Sequence, residues 1–130
     1  MPSGIKQSFG SKLTDVDTTP RDPVGSIRFE GNKVYKYVLF KNTTATVAVV
    51  AGDLVGYDAE DGHTNHHVVS DLTDAGTKPC CAGAVLAAVA GVLATSYYCW
   101  IQIKGGITLA QAISNSVDGT PVAAGDGDPI

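Results

Sequence analysis

Basic residues are scarce in this chain of 130 residues: nine Lys and Arg stand against thirteen Asp and Glu, a formal charge of −4. Binding to a nucleic-acid backbone depends on a basic surface that displaces counterions, so no nucleic-acid partner is expected. Long apolar runs are missing as well. A membrane-spanning helix needs roughly 18 to 20 apolar residues, and the longest candidate, 82–94, is shorter and mostly Ala and Gly; no membrane partner is expected. The N-terminus MPSGIKQSFG has no apolar signal core, which points to synthesis in the cytoplasm. There the glycosylation sequon Asn42-Thr43-Thr44 would be chemically silent.

Cysteine is rare and odd in number. Cys80, Cys81 and Cys99 cannot all pair within one chain, and an adjacent pair does not make a disulfide framework. Alternation in Tyr97-Tyr98-Cys99-Trp100-Ile101-Gln102-Ile103 puts Cys99 on one face with Tyr97, Ile101 and Ile103, which predicts a small buried hydrophobe.

Catalytic motifs are lacking too: there is no G-x-S-x-G elbow, no P-loop and no G-x-G-x-x-G after a strand. His63, His66 and His67, with Cys80 and Cys81, are of the residue types that hold zinc, but their spacing is no zinc signature and solvated histidines explain them better. Asp58, Glu60 and Asp61 beside Gly62, and Asp126 and Asp128 around Gly127, suit turns rather than a calcium loop. Cys80 and Cys81 near Lys78 read as the start of a strand, not as a nucleophile. The expectation is no enzyme, no metal and no cofactor.

Apolar residues make up 44% of the chain and charged residues 17%, a composition that folds. The length suits one domain. Fifteen glycines and many Val and Thr residues favour a mainly β chain that turns often. Charge is unevenly spread. Residues 1–41 hold seven of the nine basic residues and four of the thirteen acids, a net of +3 that leaves −7 for the rest.

Residues 1–24 show no sustained period, and Pro20 and Pro23 hold the backbone extended around Arg21-Asp22. This segment reads as an arm that docks on a partner and orders only against a neighbouring subunit. Its expected contacts are the apolar Ile5, Phe9 and Leu13 and the basic Lys6, Lys12 and Arg21. A single β domain is expected over 25–130. It opens with a hairpin: Ser26 to Glu30 alternates, Gly31-Asn32 is a turn pair, and Lys33 to Lys41 has Tyr35, Tyr37 and Leu39 on one face and Val34, Val38 and Phe40 on the other. Such a strand should be covered on both faces. After a break at Asn42-Thr43-Thr44, Thr46 to Val50 leads to a turn at Ala51-Gly52-Asp53, and Leu54 to Tyr57 and His66 to Val69 read as further strands, joined by a polar loop over 58–65 and followed by a connection over 71–79. For Cys81 to Ala94 a small-residue strand turning near Gly91 fits better than a helix, because Gly83 and Gly91 interrupt it and it has no polar face. Tyr97 to Lys104 is the clearest strand. After it Ile107-Thr108-Leu109 begins another, and Asp118-Gly119 is a hairpin turn.

The motifs Gly25-Ser26-Ile27-Arg28-Phe29-Glu30-Gly31-Asn32-Lys33-Val34-Tyr35-Lys36-Tyr37-Val38, Ala51-Gly52-Asp53-Leu54-Val55, Ala82-Gly83-Ala84-Val85-Leu86-Ala87 and Tyr98-Cys99-Trp100-Ile101-Gln102-Ile103-Lys104-Gly105 occur in an order that resembles the capsid decoration (cement) proteins of tailed bacteriophages. The resemblance spans about two thirds of the chain, from Gly25 to Gly105. It implies a small β-barrel or β-sandwich with an extended N-terminal arm, located on the capsid exterior of a virion. The implied role is to bind the expanded shell and clamp neighbouring major capsid subunits, as a homo-oligomer, a trimer or a dimer. The alternative is a β-sandwich that holds glycans on a virion or cell surface with Tyr35, Tyr37, Tyr97, Tyr98 and Trp100. A metal-dependent enzyme using the three histidines ranks third.

Overall fold

A computed structural model describes residues 9–76 and 80–107, apart from the Leu72 side chain. Strands β1 (Ile27–Glu30) and β2 (Lys33–Phe40) form the expected hairpin across Gly31-Asn32. They are followed by β3 (Leu54–Tyr57), the one-turn helix α1 (Gly62–Asn65), β4 (His67–Val69), the one-turn helix α2 (Leu72–Ala75), β5 (Cys81–Val85) and β6 (Tyr97–Lys104). The alternative of a helix after Cys81 gives way to strand β5. The second strand begun at Ile107, the Asp118-Gly119 turn and the tail acids all involve residues outside the described ones. No helix among the described residues is long and apolar enough to cross a membrane.

The fold is mainly β. Its strands run β2-β4-β3-β5-β6 and return to β2, closing a five-stranded barrel, with β1 as an additional strand. Every pairing is antiparallel except β2 with β4. One edge of β2 is shared, β1 taking Lys33 to Lys36 and β4 taking Leu39 and Phe40, while β6 takes the whole of the other edge. Closure leaves the barrel strands no free edge at which another chain would pair.

So small a barrel must bend sharply. One extra residue, Ile103, bulges from β6 between the pairs Val34–Lys104 and Tyr35–Gln102, and another, Ala82, bulges from β5 opposite β3. Bulges of this kind increase local twist and bend a strand. At Gly83 a Cβ atom would stand 2.5 Å from the Gln102 carbonyl oxygen, so β5 and β6 approach each other as only glycine permits.

Alternation then divides the apolar residues into two cores. Val38, Phe40, Val55, Val68, Val85, Cys99 and Ile101 point into the barrel, and Val49 and Val89, bridged outside the named strands, join them. Tyr35, Tyr37 and Trp100 lie on the other face of the same β2 and β6. Tyr37 and Trp100 are nonetheless wholly buried, because the arm covers them. Phe9, Leu13 and Val24 pack on this second cluster, and Asp17 forms a two-bond antiparallel bridge with Tyr98. The expectation that the arm orders only against a neighbouring subunit is therefore corrected for residues 9–24, which order on their own barrel. The apolar face of β2 and β6 outside the barrel needs cover, and the arm's irregularly spaced apolar residues supply it without forming a helix. Ile5 and Lys6 lie outside the described residues.

The connections are tied at Asn42, which follows β2 and is fully buried. Its Nδ2 donates to Ser70 Oγ at 2.9 Å and to the Gly91 carbonyl at 3.3 Å, and its Oδ1 accepts from the backbone N–H groups of Ser70 and Asp71. Gly91 can come this close because it has φ +62°, and a Cβ there would meet the Val47 carbonyl oxygen at 2.1 Å. The sequon asparagine thus has its whole amide committed inside the fold, out of reach of a modifying enzyme. Replacing it with alanine strands the Ser70 and Asp71 N–H groups away from water, at about 1 to 3 kcal/mol for each unsatisfied group. Asn42→Ala should lower unfolding stability by about 3 kcal/mol, seen as a lower urea midpoint with an unchanged slope.

Candidate functional site

Four of the six contact residues expected in the arm converge. Phe9, Lys12, Leu13 and Arg21 line one open groove of about 570 Å³, together with Gly10, Ser11, Asp15 and Arg28. Its floor is the second core. Phe9 meets Trp100 edge to face, with ring centroids 5.2 Å apart at 88°, and the Arg28 guanidinium lies 4.9 Å from the centre of the Phe9 ring. That cation over the ring face is the arrangement aromatic quadrupoles favour. Trp100 Nε1 donates to Ser11 Oγ at 2.9 Å, so the indole is buried without losing its hydrogen bond.

Local hydrogen bonds hold the arm in shape. Asp22 accepts from the Gly10 N–H at 2.8 Å and from the Ser11 hydroxyl, closing residues 10–22 into a loop. The Lys12 N–H donates to Asp15 at 2.8 Å, which leaves the Lys12 ammonium exposed. Arg21 is also exposed; its guanidinium lies 3.3 Å from Asp17 and 3.9 Å from Asp15, and its N–H donates to the Tyr37 hydroxyl at 3.2 Å. Burial pushes the Tyr37 phenol above its ordinary value. The rim sets Lys12, Arg21 and Arg28 against Asp15, with Arg28 also paired to Glu30, which leaves a net positive edge beside apolar Phe9 and Leu13 in a protein whose net charge is negative.

The aromatic groove of the glycan reading is closed on this side, since Tyr37 and Trp100 present no surface. The three histidines go three ways. The His63 ring packs on Tyr57, with centroids 4.6 Å apart; His66, in the left-handed region at φ 54°, abuts Gly25; His67 is buried. Burial, and then the Lys36 ammonium, hold His66 below its ordinary value. Cys99 is the buried hydrophobe expected, 3% exposed, its thiol pushed up to about 12 by burial.

A second groove, of about 430 Å³, lies among Lys41, Thr43, Thr44, Asp58, Glu60, Asp61, His67 and Asp74. The other two sequon residues are at work here. Both hydroxyls and both N–H groups of Thr43 and Thr44 donate to the Asp74 carboxylate. Burial alone would raise that carboxyl, but these four bonds outweigh it and leave it below the usual carboxylate range. Across the groove, His67 Nδ1 lies 2.8 Å from Asp61 Oδ1 and Nε2 lies 2.7 Å from the Lys41 carbonyl oxygen. The hydrogen bond to His67 is the main cause that lowers the Asp61 carboxyl. Sequence reading missed the Asp74 and Lys41 partnerships because those partners lie 26 to 31 residues apart in the chain, and it set Asp61 and His67, six apart, in different groups.

No family model, no curated protein and no solved structure matches this chain.

Asp61 and Asp74 on the acid side, and Tyr37, Cys81 and Cys99 on the alkaline side, are shifted in the directions that limit stability, and His66, held low by burial, adds to the acid side. A carboxyl whose folded pKa is depressed stabilises the fold above its unfolded value, near 3.8 for Asp74, and that stability is lost as pH falls through the folded pKa. A phenol whose folded pKa is raised is stabilising below about 10, and that stability is lost as pH rises through the folded value. Thermal melts across pH should show a plateau, an acid decline that begins below about 6.5 with His66 and steepens below about 4, and an alkaline decline that begins above about 9 with the buried thiols and steepens above about 10. Asp74→Asn should make the acid limb shallower and Tyr37→Phe the alkaline limb, while Asp61 and His66, and Cys81 and Cys99, keep the remainder of each.

Proposed function

We propose that the protein is a non-catalytic binding module that decorates the exterior of a phage capsid and clamps neighbouring major capsid subunits. The observation that carries this reading is the arm groove, in which Phe9, Lys12, Leu13 and Arg21 form one apolar floor with a cationic rim. Such a surface suits an acidic, partly apolar patch on another protein, since charged rims steer encounter and buried apolar contacts hold the complex. The resemblance to cement proteins supports the same role. Its motifs are the hairpin β1–β2, the approach to β3, strand β5 and strand β6, which together make most of the barrel.

A clamp needs more than one contact area on a rigid body. Beyond the groove, the barrel leaves Val50, Val92 and Leu93 between 45% and 55% exposed, and Phe29 73% exposed. Leu93 is anchored through its N–H to Thr46 Oγ1, and the neighbouring Ala94 N–H donates to the Asn42 carbonyl. The backbone at Leu93 is therefore held in place between Thr46 and the Asn42 carbonyl. A homo-oligomer, trimer or dimer, assembled around a local symmetry axis of the shell places several copies of each surface in reach of adjacent subunits.

Binding that favours the assembled shell over free subunits stabilises it by mass action, about 2.7 kcal/mol per site at a hundredfold excess over the dissociation constant. Expanded capsids carrying the protein should rupture at higher temperature than bare ones, and the gain should saturate with occupancy. Lys12→Glu reverses an exposed charge whose side chain makes no hydrogen bond or ion pair among the described residues. In co-sedimentation with expanded capsids it should bind at least about tenfold more weakly, a loss of about 1.4 kcal/mol, with an unchanged melting temperature. Wild-type binding by Lys12→Glu together with equal rupture temperatures for bare and decorated shells would contradict the proposal.

A further inference from the structure

The contact between His67 and Asp61 can be closed by a proton or by a cation. Lys41 offers a carbonyl oxygen at 2.7 Å, which has no proton to give, so the facing Nε2 must carry one. A neutral imidazole then has a bare lone pair at Nδ1, aimed at the Asp61 carboxylate oxygen 2.8 Å away. Two acceptors at that separation repel unless something positive lies between them. The His67 side chain is 93% buried, with 7% of its surface accessible, and cannot swing away.

A proton on Nδ1 would satisfy that pair, but a proton needs only two acceptors and the structure brings up a third. One donor atom each from Asp58, Asp61 and His67 lie within 4.8 Å of one another. Asp58 is held facing the site because its Oδ1 accepts from the Glu60 and Asp61 N–H groups. From this geometry we infer that Asp58, Asp61 and His67 form a divalent-cation site with one imidazole nitrogen and two carboxylate oxygens. Fixing the second ring nitrogen of a ligating histidine on a backbone carbonyl is how metal sites set tautomer and orientation. The donor set suits a borderline transition ion such as Zn²⁺, whose three-ligand sites keep an open position for water.

The fit needs a small retreat at Asp61 and an approach by any donor that stands wider than a metal's coordination edge, the three lying within 4.8 Å of one another. Ligand atoms at about 2.0 to 2.2 Å from a tetrahedral zinc stand roughly 3.3 Å apart, so Asp61 must retreat by about half an ångström. Its side chain is 47% exposed and free to do so. Asp58, Glu60, Asp61 and Asp74 against Lys41 give the groove a negative balance that concentrates cations. Sequence reading distributed these residues differently, setting His67 with the other histidines and the cysteines, and Asp58 and Asp61 with a turn. The site ties the end of β2, through the Lys41 carbonyl, to β4 and to the loop before α1. It is independent of the clamp reading, since the arm takes no part in it.

The test uses the full chain, stripped of metal, in a Cys80→Ser/Cys81→Ser background so that the exposed thiols do not compete. Titration with Zn²⁺ should show one equivalent bound and a melting temperature that rises with free zinc, the folded state gaining about a hundredfold at a hundredfold excess over the dissociation constant. Nitrogen NMR of the imidazole should show Nδ1 of His67 moving to a metal-bound shift while Nε2 keeps its proton. Asp61→Asn, at a half-exposed position, should fold and lose at least about tenfold in zinc affinity. A His67 that keeps its Nδ1 proton at millimolar Zn²⁺ would overturn the proposal in favour of a plain ion pair. Undiminished zinc binding by Asp61→Asn would overturn it in favour of another set of ligands.

Discussion

Strand β2 pairs with β6 over seven registered positions, and that pairing closes the barrel. It also creates the main constraint on the molecule. Both strands carry large apolar side chains on both faces, so the interior takes Val38, Phe40, Cys99 and Ile101 while Tyr35, Tyr37 and Trp100 are left outside. Aromatic side chains of this kind bury roughly 150 to 250 Å² each, worth about 4 to 6 kcal/mol apiece at 25 cal/mol/Å². A barrel that left them in water would lose a large part of the stability of a small domain. The arm resolves this by lying across the outer face, with Phe9 on Trp100, Ser11 on the indole N–H and Asp17 bridged to Tyr98.

Covering that face also builds the groove. The residues that hold the arm down face the barrel, and the residues between them, Lys12 and Arg21, are turned to solvent around the apolar floor. One segment therefore serves as the lid of a core and as the surface proposed to meet a capsid subunit. The connections around the second groove are organised by different means: buried Asn42 ties three of them together, and Thr43 and Thr44 cage Asp74. Neither arrangement needs a helix longer than one turn.

Much of this was legible in the sequence. The hairpin at Gly31-Asn32, strand β3 from Leu54 to Tyr57 and strand β6 from Tyr97 to Lys104 follow from alternation and turn chemistry, and the two-sided apolarity of β2 announced that both its faces would be covered. What covered the outer face was not legible, because an arm that packs through scattered residues leaves no period to read. Phe9, Leu13 and Val24 could as well have served a neighbour. The Asn42 hub was hidden for another reason: its partners Ser70, Asp71 and Gly91 are fixed by topology, and local sequence carries no trace of a bond across 28 to 49 residues. Asp58, Asp61 and His67 are close in the chain, but their meeting depends on the αL residue His66 turning the chain between α1 and β4, a turn that composition does not announce.

Trp100 is the only tryptophan in the chain, and it reports directly on whether the arm belongs to its own barrel. The decisive measurement is its fluorescence emission and its quenching by acrylamide, in the isolated full chain and in a chain lacking residues 1–22, at concentrations dilute enough to exclude self-association. The account predicts a blue-shifted, poorly quenched indole in the full chain, and a red-shifted, accessible one with lower stability in the truncated chain. The same buried signal and the same stability in both would show that the arm does not form the second core, and would contradict the account at its base.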